Sequence, residues 1–216
     1  DVHVAAGAKM VPFGGWSMPV QYASILDEVK CVRERTGLFD LGHMGRIDVK
    51  GPDAVPFLER LVTTFVARIP ESGIRYGLLC KAAGGPIDDL LLYKSDPNDV
   101  VVVANASTHA NVMAWLTENA AGADVTVTDR TSELAMLALQ GQASEAALQP
   151  LVEGLDLSTS GYYKFAFGTV CGIDGVRVSR TGYTGEAGIE IYIPNPDATR
   201  DRDAEQESDD DVGNQP

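Results

Sequence analysis

The sequence is poor in the residues that build disulfide frameworks, metal centres and nucleic-acid surfaces. Its three cysteines, Cys31, Cys80 and Cys171, are scattered and odd in number, so we expect no disulfide framework and favour a reducing compartment. Three histidines without a metal-ligand spacing predict no metal. Basic residues are scarce, since 17 Lys and Arg against 31 Asp and Glu leave a net charge of −14. Nucleic acid is therefore not an expected partner, because neutralising phosphates needs a basic surface.

Long apolar runs are missing as well. No stretch approaches the roughly 18 consecutive apolar residues of a membrane span, so no membrane partner is expected. The sequence does not open with a basic segment followed by an apolar one, which argues against a secretion signal. What it does contain is 44% hydrophobic and 22% charged residues, a globular composition that can fill a sizeable core.

A compositional break lies near the end of the sequence. Residues 197–216 hold eight acidic and two basic residues and only three apolar ones, which predicts a disordered acidic tail after a folded region at 1–196. The break directly follows the strong strand pattern of residues 189–193. Because folded domains rarely stop on a core strand, we expect a chain cut short, with an uncovered apolar edge at that strand.

Helical and strand patterns alternate along residues 23–193. Apolar residues at helical spacing predict helices at 23–36, after Gly51-Pro52, at 108–121 and at 143–152. Alternation and turn signals predict strands at 46–50, 75–80, 87–94, 100–105, 125–128, 134–140, 167–171, 175–180 and 188–193. Runs of antiparallel hairpins broken by single helices indicate an α+β fold of antiparallel sheets with packed helices, rather than a doubly wound parallel sheet.

The segment at residues 7–22 reads GAKMVPFGGWSMPVQY, with three glycines and two prolines. That composition excludes a regular helix and predicts an irregular loop. A loop of this kind needs apolar anchors if it is to hold one shape. We therefore expect its large aromatic side chains, Phe13 and Trp16, to pack inward.

Two adjacent carboxylates, Asp88 and Asp89, lie on a predicted strand that is otherwise apolar on both faces. Because successive side chains point to opposite faces, one of the two enters an apolar environment. A carboxylate held in such surroundings is a candidate for catalysis or ligand capture. The alternative is that both lie at the mouth of the strand, where they cap the turn at Gly84-Gly85.

A glycine-rich segment at residues 180–191 reads RTGYTGEAGIEI. Its spacing and flanking strands match neither a dinucleotide fingerprint nor a phosphate loop. Ile189 and Ile191 share one face of the predicted strand, and Glu190 lies on the other, where composition alone favours a solvent-facing residue. His43, within the run FDLGHMG, is by itself more typical of a structural histidine than of a catalytic one.

Six segments taken together resemble one family. They are GAKMVPFGGWSMPVQY, FDLGHMG, GGPIDDLLLY, VVANAS, ALQG and GYTGEAGIEI, in the order and at the separations found in the T-protein of the glycine cleavage system. The resemblance implies a cloverleaf of domains around a folate-binding hole, in the cytoplasm or, in a eukaryote, the mitochondrial matrix. It also implies a tetrahydrofolate-dependent aminomethyltransferase. The lipoylated H-protein would donate the one-carbon unit, giving 5,10-methylenetetrahydrofolate and ammonia.

The resemblance also assigns roles to single residues. Asp89 matches the family's catalytic carboxylate, which would orient the reduced pterin and stabilise positive charge on the transferred carbon. Glu190 matches the carboxylate that accepts hydrogen bonds from the pterin ring. The positions that would line the pterin pocket are Asn105, Val103, Met44 and Tyr183.

The sequence departs from the family's pattern in two places. Gly42 stands where the family usually has serine before His-Met. Beyond residue 193 the family continues with a folate-site arginine and a third, β-rich domain, which we expect to be missing here. Two alternatives stay open: an inactive truncated fragment, and a folate-binding relative with another role, such as a demethylase or an iron–sulfur assembly factor. The assembly factor is disfavoured, because residues 182–186 replace its cysteine-bearing loop.

Overall fold

A computed structural model describes residues 2–195, so the acidic tail predicted at 197–216 lies outside the described residues. The α-helices are α1 (Val2–Ala5), α2 (Ile25–Glu34), α3 (Ala54–Glu59), α4 (His109–Asn119) and α5 (Ser144–Leu148). The strands are β1 (Lys9–Phe13), β2 (Trp16–Gln21), β3 (Gly37–Asp40), β4 (Gly45–Lys50), β5 (Gly73–Cys80), β6 (Pro86–Asp96), β7 (Asp99–Ala104), β8 (Thr126–Asp129), β9 (Leu134–Gln140), β10 (Val152–Glu153), β11 (Phe165–Val170), β12 (Ile173–Ser179) and β13 (Gly188–Pro194).

A five-stranded sheet carries the paired aspartates. Its order is β5-β6-β7-β4-β8, and every neighbouring pair is antiparallel. Helices α3 and α4 cover one face of the sheet with an apolar stripe each, Phe57 and Leu58 from α3 and Val112 and Leu116 from α4. Burial of that face fixes the register of β6 and so determines which way its side chains point.

A six-stranded sheet contains the glycine-rich segment's strand. Its order is β10-β11-β12-β13-β9-β3, again antiparallel throughout. The strand β13 lies between β12 and β9, and Ile189 and Ile191 are buried in a cluster with Leu148 of α5. The expectation of an uncovered edge at 188–193 is therefore wrong, because strands formed earlier in the chain flank β13 on both sides.

The two sheets pack face to face through an inter-sheet cluster. It consists of Ile74, Tyr93, Val101, Val103, Met136, Phe165 and Tyr192, with Leu41, Met44, Leu91 and Tyr163 packed against it. The face of β13 that carries Glu190 points into this interface, so the solvent-facing interpretation of Glu190 is wrong. The α+β class with antiparallel sheets is confirmed, and the helices at the outer faces complete a layered arrangement.

Residues 7–22 form a hairpin of β1 and β2 rather than an irregular loop. Gly14 and Gly15 adopt φ of 57° and 87°, and two consecutive positive values are what a two-residue hairpin turn requires. Phe13 and Trp16 face each other across the hairpin end and remain 71% and 45% exposed. The expected inward packing is therefore wrong, since hairpin pairing holds this segment without an aromatic anchor.

The predicted helices are present but shorter than their apolar patterns. The helix expected at 23–36 begins at Ile25, because Ser24 caps it by accepting a hydrogen bond from the Asp27 amide. It ends at Glu34 and is followed by β3, a strand that the sequence pattern did not predict. Across residues 2–195, every helix falls short of the length and apolarity needed to traverse a bilayer.

Candidate functional site

A cavity of about 830 Å³ opens beside the N-terminal half of β6. Apolar side chains form most of its wall, with a few polar groups among them, as in many sites that bind small molecules. It is lined by Phe13, Gly14, Trp16, Met18, His43, Met44, Leu78, Pro86, Ile87, Asp88, Asp89, Asn105, Ala106, Ser107 and Thr108. The aromatics of the hairpin thus contribute to a binding surface instead of a core.

Asp88 and Asp89 both reach this cavity but differ in burial. Asp88 is only 6% exposed, whereas Asp89 is open to solvent. One of the two carboxylates is therefore buried, as the alternation predicted. The two oxygens of Asp88 accept hydrogen bonds from the backbone N and the side-chain Nδ2 of Asn105, each at 2.9 Å. This pair satisfies the buried carboxylate and ties it to the end of β7.

Asp89 is held by two donors from neighbouring strands. Its Oδ1 accepts a hydrogen bond from Asn105 Nδ2 at 3.0 Å, and its Oδ2 accepts one from the Tyr76 hydroxyl at 2.9 Å. This hydrogen bond is the main reason why the pKa of Tyr76 is raised, so the phenol stays neutral and donates. The two bonds fix the plane of an exposed carboxylate at the wall of the cavity.

The loop between β3 and β4 adds His43 and Met44 to the wall. Met44 also packs against the inter-sheet cluster, so it joins the cavity to the interface between the sheets. Burial lowers the pKa of the His43 imidazole, although the nearby Asp40 opposes that shift. The ring is therefore neutral at pH 7 and brings one donor and one acceptor to the cavity.

Glu190 lies in the inter-sheet interface and is 6% exposed. Its Oε2 accepts hydrogen bonds from the hydroxyls of Thr181 at 2.7 Å and Tyr93 at 2.8 Å, and the single hydroxyl hydrogen of Tyr192 is shared between Oε2 at 3.3 Å and the Tyr93 oxygen at 2.9 Å. Burial, and after it the charge of Glu190, raises the pKa of Tyr93, and burial is also the main cause for Tyr192, so both phenols remain donors. Among the described residues no partner occupies the other oxygen, Oε1.

The structure separates the six predicted site residues into three places. Asp89, Asn105 and Met44 meet at the cavity, whereas the side chains of Glu190 and Val103 lie between the sheets. Tyr183 is fully exposed in the loop before β13. The first two places are linked, because Asp89 and Tyr93 share one face of β6 and are roughly 13 Å apart along the strand.

The glycine-rich loop packs against the side chain of Gln140, the last residue of β9. Gln140 is buried, donates a hydrogen bond to the Thr181 carbonyl at 3.2 Å and accepts one from the Thr184 hydroxyl at 3.0 Å. A Cβ atom at either Gly182 or Gly188 would overlap the Gln140 side chain. The glycines therefore serve close packing, and that packing holds Thr181 where it meets Glu190.

Sequence reasoning missed the hydroxyl groups that serve the two carboxylates. The strand alternation contained part of the signal, since it places Tyr93 on the face of Asp89 and Tyr192 on the face of Glu190. Tyr76 could not be found this way, because it reaches Asp89 only through the pairing of β5 with β6. In the part of the chain that the structure describes, no three His, Cys, Asp or Glu side chains are grouped as a metal site would need.

Comparison with known families and proteins gives consistent matches. A profile described as the GCVT N-terminal domain matches residues 1–215. The aminomethyltransferase of Desulfitobacterium hafniense (strain DSM 10664 / DCB-2) is 45% identical over 202 residues, which are 93% of this chain and 54% of the relative. That of Moorella thermoacetica is 46% identical over 191 residues, 88% of this chain and 52% of the relative. The chain thus spans about half the length of these curated relatives.

A solved structure agrees with the sequence matches. The glycine cleavage system aminomethyltransferase T from Bartonella henselae superposes with a TM-score of 0.82 at 32% identity. The aligned part covers 95% of this chain and 54% of that one. Similarity of both sequence and fold therefore extends over nearly the whole of residues 2–195.

Proposed function

Because this chain belongs to the GCVT N-terminal domain family, we propose that it carries the folate-binding region of a tetrahydrofolate-dependent aminomethyltransferase, at residues 1–196. In the proposed reaction the lipoylated H-protein of the glycine cleavage system donates a one-carbon unit, and 5,10-methylenetetrahydrofolate and ammonia are formed. The observation that carries the proposal is the exposed, doubly hydrogen-bonded carboxylate of Asp89 in the wall of the apolar cavity. We place the protein in the cytoplasm, or in the mitochondrial matrix of a eukaryote.

The residues present suit a reduced pterin. Its flat ring matches apolar walls such as those of Trp16, Met18 and Leu78. Its ring N–H and amino groups are donors, and the chain offers acceptors for them at Asp89, at Asn105 Oδ1 and at Glu190 Oε1. Tetrahydrofolate, when bound, supplies the nitrogen that accepts the one-carbon unit.

Asp89 is the residue to which we assign catalysis. Its carboxylate is fixed by Tyr76 and Asn105 and does not need to reorganise while charge develops nearby. A fixed anion in an apolar cavity stabilises positive charge on the carbon under transfer more strongly than water does.

Glu190 and the remaining family positions have supporting roles in this proposal. Glu190 Oε1 accepts a pterin N–H, while Oε2 stays with its three hydroxyl donors. Met44 forms the apolar wall between the two carboxylates. Val103 supports the pocket from within the inter-sheet cluster, and Tyr183 reaches a bound ligand from the loop outside it.

Tetrahydrofolate binding tests the ligand assignment. Titration calorimetry of the chain with tetrahydrofolate should show saturable heat, and an excess of a non-folate purine should not compete. Absence of heat at millimolar tetrahydrofolate, from a protein with a cooperative thermal transition, would contradict a folate site in this chain.

Replacement of Asp89 by Asn tests the catalytic assignment. Asn keeps the shape and removes the charge, so aminomethyl transfer from loaded H-protein to tetrahydrofolate should fall on the order of 10²-fold or more. The matched control is Asp96→Asn, an exposed aspartate at the other end of the same strand, which should leave transfer unchanged. Equal losses in both variants would refute the role of Asp89.

A folate-binding unit without transfer is the second candidate. The observation behind it is that Asn105 Oδ1 and Glu190 Oε1 can accept hydrogen bonds from a ligand without any part in transfer. Under this alternative the calorimetric titration succeeds, while the wild-type chain gives no transfer with loaded H-protein. The two assays run together therefore separate the two candidates.

A further inference from the structure

Asp88 has no role in the mechanism above, yet it is the better buried of the two aspartates. We propose that Asp88 is a positioning residue that acts through Asn105. It helps to determine whether the cavity wall presents hydrogen-bond acceptors or donors to a ligand. The identity of the ligand rests on the proposed function, but the role of Asp88 in orienting Asn105 rests on contacts within the chain. Strand alternation alone would give Asp88 little weight, because it directs Asp88 and Asp89 to opposite faces.

The contacts of the Asn105 amide carry the argument. Its Nδ2 has two hydrogens and three acceptors in reach: Asp88 Oδ1 at 2.9 Å, the Asp89 carbonyl at 2.9 Å and Asp89 Oδ1 at 3.0 Å. The Asn105 backbone N donates to Asp88 Oδ2 at 2.9 Å. Both side-chain donors of Asn105 are thus committed inside the protein, and within the described residues Oδ1 alone is left without a partner.

The orientation of the amide depends on Asp88 and on the two oxygens of Asp89 that accept from the same nitrogen. An aspartate that accepts with both oxygens cannot donate to Asn105 Oδ1, so an amide turned by 180° would place two oxygens against each other. A flip would also turn Asn105 Oδ1 toward the carbonyl oxygen and Oδ1 of Asp89, so Asp88 and Asp89 together exclude it. The wall formed by Asp89 and Asn105 consequently presents acceptors only, and it selects a ligand that brings N–H donors to both.

Replacement of Asp88 by Asn weakens this selection. The new amide can donate to Asn105 Oδ1, which removes one of the three contacts that oppose the flipped orientation and raises the fraction of molecules whose amide donors face the cavity. A ligand N–H would then meet an N–H. Because a ligand N–H then loses its hydrogen bond to the Asn105 oxygen, we expect tetrahydrofolate affinity to fall by up to about 10-fold.

A double-mutant cycle tests whether Asp88 acts through Asn105. Asp88→Asn and Asn105→Ala should each weaken tetrahydrofolate binding, and Asp88→Asn should add nothing once Asn105 is Ala. The control is Asp48→Asn, which removes another buried carboxylate of the same sheet, paired with Arg130 and Lys50 outside the cavity, and should leave affinity unchanged. Additive losses, or an equal loss in the control, would overturn the proposal.

A second measurement needs no ligand. In ¹⁵N-asparagine-labelled protein, the Asn105 side-chain amide, assigned by its disappearance in Asn105→Ala, should exchange slowly with solvent. Asp88→Asn should accelerate that exchange while Asp48→Asn leaves it unaltered. Unchanged exchange in Asp88→Asn would overturn the inference even if tetrahydrofolate binds, whereas failure of tetrahydrofolate to bind the wild type would contradict the proposed function alone.

Discussion

The carboxylates of Asp89 and Glu190 lie in contrasting environments. Asp89 is exposed in a cavity and receives one hydroxyl and one amide hydrogen bond, on separate oxygens. Glu190 is buried between two sheets and receives three hydroxyl hydrogen bonds, all on Oε2. The carboxylate of Asp89 is therefore partly hydrated, whereas that of Glu190 is enclosed in a network of hydroxyl groups.

This difference separates reactivity from stability. A buried, hydrogen-bonded charge contributes to folding because every donor around it would otherwise be unsatisfied in a dry interior. An exposed carboxylate retains water as an alternative partner, so its loss costs little folding free energy. Substitutions at Glu190 should therefore act on the fold first, and substitutions at Asp89 on ligand and chemistry.

The largest expected contrast comes from neutralising each carboxylate. Glu190→Gln removes the charge that three hydroxyls share, and we expect the free energy of unfolding to fall by about 2–3 kcal/mol. Asp89→Asn should change it by less than about 0.5 kcal/mol, as is usual for exposed positions. Urea unfolding at pH 7 measures the change in unfolding free energy for both variants. Losses of equal size would show that the difference in burial between the two carboxylates does not affect stability.

A smaller contrast is expected when one hydroxyl donor is removed from each site. Tyr93→Phe deletes a buried hydroxyl that bonds Glu190 and accepts from Tyr192, so we expect a loss of about 1–2 kcal/mol of unfolding free energy. Tyr76→Phe deletes the exposed donor to Asp89, with an expected change below about 0.5 kcal/mol and weaker tetrahydrofolate binding. A larger stability loss at Tyr76 would reverse the assignment.

The smallest effect per residue is expected at high pH, where the stability of the fold depends on the protonation of the buried tyrosines around Glu190. Burial raises the pKa of Tyr93 and Tyr192 above the ordinary value of 10.0, so above pH 10 these phenols ionise in the unfolded chain but not in the folded one. The unfolded state then binds fewer protons, and the free energy of unfolding falls as pH rises, by about 1 kcal/mol per tyrosine near pH 10.5. Urea midpoints from pH 8 to 11 should show this fall, and Tyr93→Phe combined with Tyr192→Phe should make it shallower. A double variant with the wild-type slope would contradict the assignment.

Much of the fold could be predicted because local patterns decide it. The strand at 134–140 has the predicted bounds, and the helix expected at 108–121 runs from His109 to Asn119. The misses have physical causes. The hairpin at residues 7–22 was hidden because its strands contain Pro12 and Pro19, which strand patterns count against. The central position of β13 could not be predicted, because sheet order is set by long-range strand pairing. Neither the hydrophobic period of a segment nor its residue propensities contain that information.

The parts of the candidate site that lie within sequence motifs could be predicted. The run at residues 87–91 identified a buried carboxylate, but only the exposure of the two side chains in the structure shows that it is Asp88. Glu190 was assigned a solvent-facing place on composition and a ligand-binding one on resemblance, and neither indicated three hydroxyls around Oε2. Such networks join residues about 100 positions apart, as Tyr93 and Glu190 are, which no local window contains.

The contact between Gln140 and the two glycines has a consequence for genetic variation. Any single-base change that replaces the amino acid at Gly182 or Gly188 introduces a side chain, and even the smallest one overlaps Gln140. A displaced Gln140 amide loses its hydrogen bond to the Thr181 carbonyl, and the hydroxyl of the same threonine bonds Glu190. Missense variants at these codons would therefore weaken the enclosed carboxylate from a distance, without changing any residue assigned to ligand or catalysis.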